Sequence, residues 1–273
     1  MNPGGNVTNT AGTFTAGTST LNYNGTDQNT ASVNYYNLFL SGSGTKTLQT
    51  ATSSIGNNFT LSGTVSATIA SNLAISGNLT VGSGTTLATQ TNYTLGISGS
   101  TSITGTYTDG STGAKTFTGD ITLNTGAIWN ETAISAYSIA GNLTNNASSF
   151  TSNSGVHTFT GTSKILSGAT TISIPSATFS GTYSNNGTLT VNTTLAGSGT
   201  LTQGIGSTLN IGGTTTISNL LAGTNSNKRE DIDCVYCGDI AAAIGGMFIG
   251  MVLGIFVVPV LFVTFRIQGS RTL

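Results

Sequence analysis

Apolar and polar residues alternate along most of the first 222 positions of the chain. Stretches such as Leu79-Thr80-Val81 and Leu189-Thr190-Val191 put every second side chain on one face, which is the period of a β-strand. Threonine and valine are also favourable strand residues. The alternating runs are short and are separated by Gly, Ser, Thr and Asn, so the pattern predicts many short strands joined by tight turns.

A glycine that follows a small residue recurs at regular spacing. Successive glycines are 22, 20, 22, 20 and 20 residues apart, at Gly77, Gly99, Gly119, Gly141, Gly161 and Gly181. A unit of about 20 residues cannot bury an apolar face alone, whereas stacked units enclose a continuous interior column. We therefore predict an all-β fold for residues 1–222, a repetitive parallel β-helix or solenoid with rungs of about 20–22 residues, where a rung is one turn of the solenoid.

The repeat also predicts a register. Gly119, Gly141, Gly161 and Gly181 should occupy equivalent corners, and the phenylalanines two residues before Gly161 and Gly181 should stack inside. A β-sandwich is the alternative, because short strands at spacings of about 8–12 residues also suit that fold. Disorder is disfavoured, because disordered chains rarely keep regularly spaced β-branched residues.

Charge is scarce in this chain, at 5% of 273 residues against about a quarter in a typical soluble domain. Asp109 and Glu131 are 22 residues apart, so they could stack on neighbouring rungs about 5 Å apart, a separation that suits a retaining glycosidase. No arginine precedes Arg229, however, and we interpret the two carboxylates as turn or surface residues. We predict no enzyme activity, and no catalytic, cofactor-binding or metal-binding residues.

The remaining candidate side chains predict no site either. His157 has no acidic neighbour in the sequence, so we place it on the outer surface of a rung. Trp129, the only tryptophan, is expected in the core or at an edge. The net charge of −1 and the absence of a basic patch argue against nucleic-acid binding.

Residues 10–220 resemble the repetitive β-helical regions of bacterial surface proteins of the adhesin and autotransporter type. The likeness rests on the run Tyr36-Asn37-Leu38-Phe39-Leu40-Ser41-Gly42-Ser43-Gly44-Thr45-Lys46-Thr47-Leu48 and on the repeated Gly-Asn-Leu-Thr unit. It implies an exported surface structure or adhesive stalk. Its partners would then be a host or neighbouring-cell surface, or the extracellular matrix.

The composition changes after residue 222. Residues 223–239 form a charged linker, and residues 240–265 contain no charged side chain. At 1.5 Å per residue, this run is about 39 Å long as a helix, enough to cross a bilayer with some tilt. We predict one transmembrane helix at 240–265 and a short tail at 266–273. Arg266 and Arg271 follow the helix, so the positive-inside rule places the C-terminus in the cytoplasm and the solenoid outside, or in the periplasm.

Two features near this helix have alternative interpretations. Gly246, Gly250 and Gly254 lie on one helix face and either allow close packing against another membrane helix or reflect the general abundance of glycine in such helices. Cys234 and Cys237 supply half of a zinc site at most. Inert thiols or a disulfide are preferred for them over metal or redox chemistry.

Residues 240–268 resemble the last transmembrane helix of efflux permeases of the resistance-nodulation-division family. The likeness rests on Gly245-Gly246-Met247 and Phe256-Val257-Val258-Pro259-Val260. The predicted helix has no ionisable residue of the kind that marks a proton path, so we expect no transport from this chain alone. The first residues also show no signal-peptide pattern, which suggests a fragment, a fusion or another export route.

The sequence therefore predicts a non-enzymatic structural or adhesive surface solenoid anchored in the lipid bilayer by one C-terminal helix. The alternative is a fusion or fragment that carries the last helix of an efflux permease.

Overall fold

The computed structural model describes residues 4–6, 14–50 and 52–222, and their regular structure is entirely β. The strands follow one another along the chain as β1 (Thr20–Tyr23), β2 (Gln28–Asn29), β3 (Asn37–Leu40), β4 (Ser43–Thr47), β5 (Ser54–Ile55), β6 (Phe59–Leu61), β7 (Thr64–Ile69), β8 (Leu73–Ile75), β9 (Leu79–Val81), β10 (Thr86–Thr91), β11 (Leu95–Ile97), β12 (Thr101–Ile103), β13 (Thr106–Ser111), β14 (Lys115–Phe117), β15 (Ile121–Leu123), β16 (Ile128–Glu131), β17 (Tyr137–Ile139), β18 (Leu143–Asn145), β19 (Ser149–Thr151), β20 (Val156–Phe159), β21 (Lys164–Ser167), β22 (Ile172–Phe179), β23 (Thr182–Asn185), β24 (Thr188–Gln203), β25 (Thr208–Ile211) and β26 (Thr214–Ala222).

A central rung contains three strands, and each pairs with the corresponding strand of the next rung. For example, β8, β9 and β10 pair in parallel with β11, β12 and β13. All pairings between the described strands are parallel, and strands of successive rungs are neighbours in the same sheet. This is a parallel β-solenoid, as predicted, and the β-sandwich alternative is wrong.

One column of paired residues runs through the whole solenoid. It starts at Leu21 and ends at Ala222, and its members in order are Leu21, Leu38, Phe59, Leu79, Thr101, Ile121, Leu143, Leu166, Asn185, Gln203 and Ala222. Ten steps at about 4.8 Å each give a length of about 50 Å. The sequence separation per step varies from 17 residues between Leu21 and Leu38 to 23 residues between Leu143 and Leu166. Corners of different length therefore fit onto strands that stay in register.

The predicted register is confirmed for the phenylalanine pair and for two glycine pairs, whereas a Cβ atom on Gly161 would meet the carbonyl of Ala140. A Cβ atom on Gly141 would collide with the backbone carbonyl of Gly119, and one on Gly181 would collide with that of Gly161. Close backbone stacking therefore explains why the repeat requires glycine at these corners. Phe159 and Phe179 are register partners, with ring centroids 4.7 Å apart and an interplanar angle of 13°.

Side chains alternate between the interior and the outer surface. The interior is mostly aliphatic and aromatic, as the patterns buried–partly exposed–buried at β9 and β15 illustrate. One outward column carries small hydroxylated side chains on six successive rungs, at Thr60, Thr80, Ser102, Thr122, Thr144 and Ser167. This column of hydroxylated side chains is polar and uncharged.

Within the described ranges, no helix is both long enough and apolar enough to span a bilayer. The predicted helix at 240–265, with its three glycines Gly246, Gly250 and Gly254, lies outside those ranges. The same is true of the linker with Cys234 and Cys237 and of the tail with Arg266 and Arg271. Their assignments therefore remain predictions from the sequence.

Candidate functional site: a charge cluster inside the solenoid

Asp109 and Glu131 lie one above the other in the interior of the solenoid. They are register partners on β13 and β16, and they are 0% and 4% exposed. Strand alternation places them on the same face as Tyr107 and Trp129, two residues earlier, which are also buried. The prediction that the carboxylates stack on neighbouring rungs is confirmed. Their interpretation as turn or surface residues is wrong, because each shares the inward parity of an aromatic residue.

A second inward column faces these carboxylates. Lys115, Tyr137 and His157 are successive register partners on β14, β17 and β20, and all three are buried. The Tyr137 and His157 rings stack with centroids 4.8 Å apart and an interplanar angle of 4°. The placement of His157 on the outer surface is therefore wrong, since its strand turns this residue inward together with Phe159. We call Asp109, Lys115, Glu131 and His157 the charge cluster.

Asp109 is the most highly coordinated member of the charge cluster. Its Oδ1 lies 3.2 Å from Lys115 Nζ and accepts hydrogen bonds from the Thr89 hydroxyl at 2.5 Å and the Ser111 backbone N–H at 3.1 Å. Its Oδ2 accepts from the Ser135 hydroxyl at 2.5 Å and the Tyr137 hydroxyl at 2.6 Å. These donors satisfy both carboxylate oxygens, which offsets the desolvation of a buried charge.

Glu131 is satisfied by residues of its own rung and of the two rungs that follow it. Its Oε1 accepts from Trp129 Nε1 at 2.8 Å and from His157 Nε2 at 3.1 Å, and its Oε2 accepts from the Asn153 backbone N–H at 3.1 Å. His157 Nδ1 is buried and has no hydrogen-bond partner among the described residues. A tautomer with the proton on Nε2 fits these contacts, because it donates to Glu131 and leaves no N–H unpaired. Trp129, expected in the core or at an edge, is a core residue at 3% exposure.

Burial shifts the ionisation of the side chains around the cluster. Desolvation lowers the pKa of Lys115 below its usual range, and the adjacent Asp109 carboxylate opposes this shift. Desolvation also raises the pKa of Tyr107 and Tyr137 well above 10.0, and the carboxylates add to the effect. The Tyr107 hydroxyl lies near those of Thr89 and Tyr137 but forms no hydrogen bond with a described residue. Both tyrosines therefore stay neutral over the physiological range.

A second buried lysine lies near the N-terminal end of the solenoid. Lys46 Nζ donates to the Gly25 carbonyl at 2.6 Å, to the Thr26 carbonyl and to Gln28 Oε1 at 2.7 Å. Desolvation lowers the pKa of Lys46, and the nearby Asp27 carboxylate offsets only part of this shift. In contrast to Lys115, Lys46 makes no salt bridge with a carboxylate among the described residues.

The charge cluster is closed to large molecules. A cavity of about 10 Å³ adjoins Glu131 and His157, and its other walls are apolar, so it has room for about one water molecule. None of the four side chains in the cluster is more than 4% exposed. The Asp109–Glu131 pair therefore cannot contact a polysaccharide in this structure.

Few charged side chains lie on the outer surface of the solenoid. The buried residues Lys46, Asp109, Lys115 and Glu131 account for four of the seven charged residues before position 222. The other three are Asp27, Asp120 and Lys164. Lys164 borders a surface depression of about 310 Å³ that is lined by Ser163, Ile165, Thr182, Tyr183, Ser184 and Thr202. In the described part of the chain, no three His, Cys, Asp or Glu side chains are grouped to hold a metal ion.

No protein-family model matches the chain, and no solved structure matches it. The fold and the contacts of the described residues are therefore the basis for its functional interpretation.

Proposed function

We propose that this chain is a non-enzymatic structural or adhesive protein of the bacterial cell surface. In this proposal, the helix predicted at 240–265 anchors the solenoid on the outside of the membrane. The observation that carries the proposal is the inward orientation of the ionisable side chains. Buried charge inside a rod of about ten rungs contributes to its internal structure, while the outer surface keeps only three charged residues.

The outer surface suits contact with another extended surface. Its hydroxyl groups repeat from rung to rung at about 4.8 Å, which presents many equivalent weak hydrogen-bonding groups along the rod. Weak contacts that form together can give a high overall avidity without any single strong site. Partners of this kind include the extracellular matrix and the surface of a host or neighbouring cell.

Cell adhesion provides a direct test of this proposal. Cells that display the full chain should adhere to matrix-coated or cell-coated surfaces more than cells that lack it, and a soluble chain ending at Gly223 should compete. Equal adhesion with and without the full chain on the cell surface would contradict the adhesive role.

Membrane anchoring is a separate part of the proposal with its own experiment. The full chain should stay with membranes after a carbonate wash, and the chain ending at Gly223 should be released. An impermeant thiol reagent applied after reduction should label Cys234 and Cys237 in intact cells. Labelling only after lysis would place the linker inside, and the surface role would then be wrong.

The absence of enzyme activity is also part of the proposal. It is supported by the burial of Asp109 and Glu131, which a polysaccharide cannot reach. The purified protein should turn over neither acidic nor neutral polysaccharides. Activity that is abolished by Asp109→Asn or Glu131→Gln would overturn this part. For the residues that resemble an efflux permease helix, we propose only the role of a membrane anchor.

A further inference from the structure

Lys115 and Asp109 form a lysine–carboxylate pair that is sealed inside the solenoid. Both side chains are 0% exposed, and Lys115 Nζ lies 3.2 Å from Asp109 Oδ1. The two residues belong to consecutive strands, β13 and β14, so the chain itself holds them together. An amine held beside a carboxyl group in a fixed orientation can react with an effective molarity of about 10⁵–10⁸ M.

We propose that this pair is a site of intramolecular cross-linking, where Lys115 Nζ forms an amide bond with Asp109 Cγ and one water molecule is released. Lys115 first transfers a proton to Asp109 Oδ1, which frees the nitrogen lone pair to attack Cγ, and the bond between Cγ and Oδ1 then breaks. Of the three ammonium protons, one stays on the amide nitrogen and two leave with Oδ1 as water. An ammonium and a carboxylate thus become a neutral amide without any oxidant or cofactor.

Each carboxylate oxygen of Asp109 already has hydrogen-bond partners that fit its role in this reaction. Oδ2, which would become the amide oxygen, already accepts from the Ser135 and Tyr137 hydroxyls. Donors in these positions would also stabilise the negative charge that develops on this oxygen in the tetrahedral intermediate. Oδ1, the oxygen that would leave, contacts both Lys115 Nζ and the Thr89 hydroxyl, so protons can reach it directly.

The amide product would also find its remaining partner in place. Lys115 Nζ already donates to the Gly113 carbonyl, and the Tyr93 carbonyl lies 3.4 Å away, so the amide N–H has an acceptor. The reaction would remove two charges from a desolvated site, where an ion pair is expensive to maintain. Burial lowers the pKa of Lys115, which makes the nucleophilic neutral amine more accessible than it is on a surface lysine.

Tryptic digestion of the unfolded full chain tests the proposal, which does not depend on where the protein is located. Trypsin cleaves after unmodified lysine, and the lysines before residue 222 are Lys46, Lys115 and Lys164. We expect a fragment of residues 47–164 that is uncut at Lys115 and lighter than its sequence mass by one water. Fragmentation in the mass spectrometer should assign the bond to Asp109 and Lys115. Lys46 is the internal control, because it is equally buried but contacts carbonyl oxygens, and it should be cleaved.

Two outcomes would overturn the proposal. The first is full sequence mass with cleavage after Lys115, even after prolonged incubation of the folded protein. The second is a loss of water with cleavage after Lys115 retained. Asp109 precedes Gly110, and cyclisation of its side chain onto the Gly110 backbone nitrogen would also release water but would leave the lysine free.

Two variants locate the reaction. Lys115→Met lacks the amine and should have the full sequence mass, whether or not it folds; continued loss of water in this variant would contradict the assignment. Tyr137→Phe keeps the ring and removes one donor to Oδ2. It should accumulate the cross-link more slowly than the unmodified sequence in a time course after synthesis, and an unchanged rate would show that Oδ2 is not stabilised as proposed.

Discussion

Asp109 and Glu131 are register partners on successive rungs, yet each contacts a different basic side chain. Asp109 contacts Lys115, and Glu131 contacts His157. Two carboxylates stacked at the strand spacing of about 4.8 Å would repel each other strongly in a desolvated interior. Separate partners from the opposite column relieve this repulsion, so the cluster connects several rungs through side chains as well as through backbone hydrogen bonds.

Removing the acceptor oxygens of Glu131 should destabilise the solenoid. Glu131→Ala leaves Trp129 Nε1, His157 Nε2 and the Asn153 N–H without their acceptor, and we expect a loss of about 3–5 kcal/mol in the free energy of unfolding. Glu131→Gln is the matched control, because it keeps the size and one acceptor oxygen and should lose less than half as much. Chemical denaturation followed by circular dichroism measures both, and equal stability of the alanine variant would contradict the role of these bonds.

Phe159 should contribute more stability than its immediate neighbour. Phe159→Ala removes a ring that stacks on Phe179 in the interior, and we expect a loss of about 3–5 kcal/mol. Thr158→Ala changes the adjacent outward side chain and should stay within about 0.5 kcal/mol. Thermal or chemical unfolding of the two variants compares the two faces of β20. Similar losses in both would mean that the assigned inward face is wrong.

Two glycines provide a matched test of close backbone stacking. Gly141→Ala would bring its Cβ into the Gly119 carbonyl of the previous rung, so it should unfold at a clearly lower denaturant concentration. Gly96→Ala introduces the same methyl group where no atom lies within 4 Å, and it should leave the midpoint unchanged or raise it slightly. The reverse order of the two midpoints would refute the corner assignment.

Tyr183 should make stability depend on pH in the alkaline range. Desolvation raises its pKa from 10.0 to about 12, so above pH 10 the folded state binds this proton more tightly than the unfolded state. The stabilisation is complete below pH 10 and is lost as the pH rises through about 12. Tyr183→Phe lacks this group, and the stability difference between the two proteins should therefore shrink between pH 10 and 12. A constant difference across this range in denaturation experiments would contradict the raised pKa.

The regular part of the fold could be predicted because one local signal repeats. Gly119, Gly141 and Gly161 recur at nearly constant spacing, and backbone stacking requires a residue without a Cβ at each corner. The stacked pair Phe159 and Phe179 follows from the same period. Repetition therefore supplies long-range contacts that a single sequence usually does not reveal.

The charge cluster was not predicted, because burial of a charged residue depends on partners from other rungs. His157 lies 26 residues from Glu131, and no local pattern connects them. One signal was present, since Asp109 follows the inward Tyr107 by two positions and Lys115 precedes the inward Phe117 by two. Strand parity thus indicated the interior, but the lack of any arginine before Arg229 led to the interpretation of turn or surface carboxylates.

The stacking of rungs also determines how the rod would respond to a pulling force along its axis. Backbone hydrogen bonds between rungs point along that axis, so tension would load them one rung at a time, and the ends would peel before the middle. The rungs that contribute Asp109, Glu131 and His157 are held by side chains that reach across several layers. They would act as a mechanical stop, so that a stretched solenoid would lengthen from its ends and keep a folded centre.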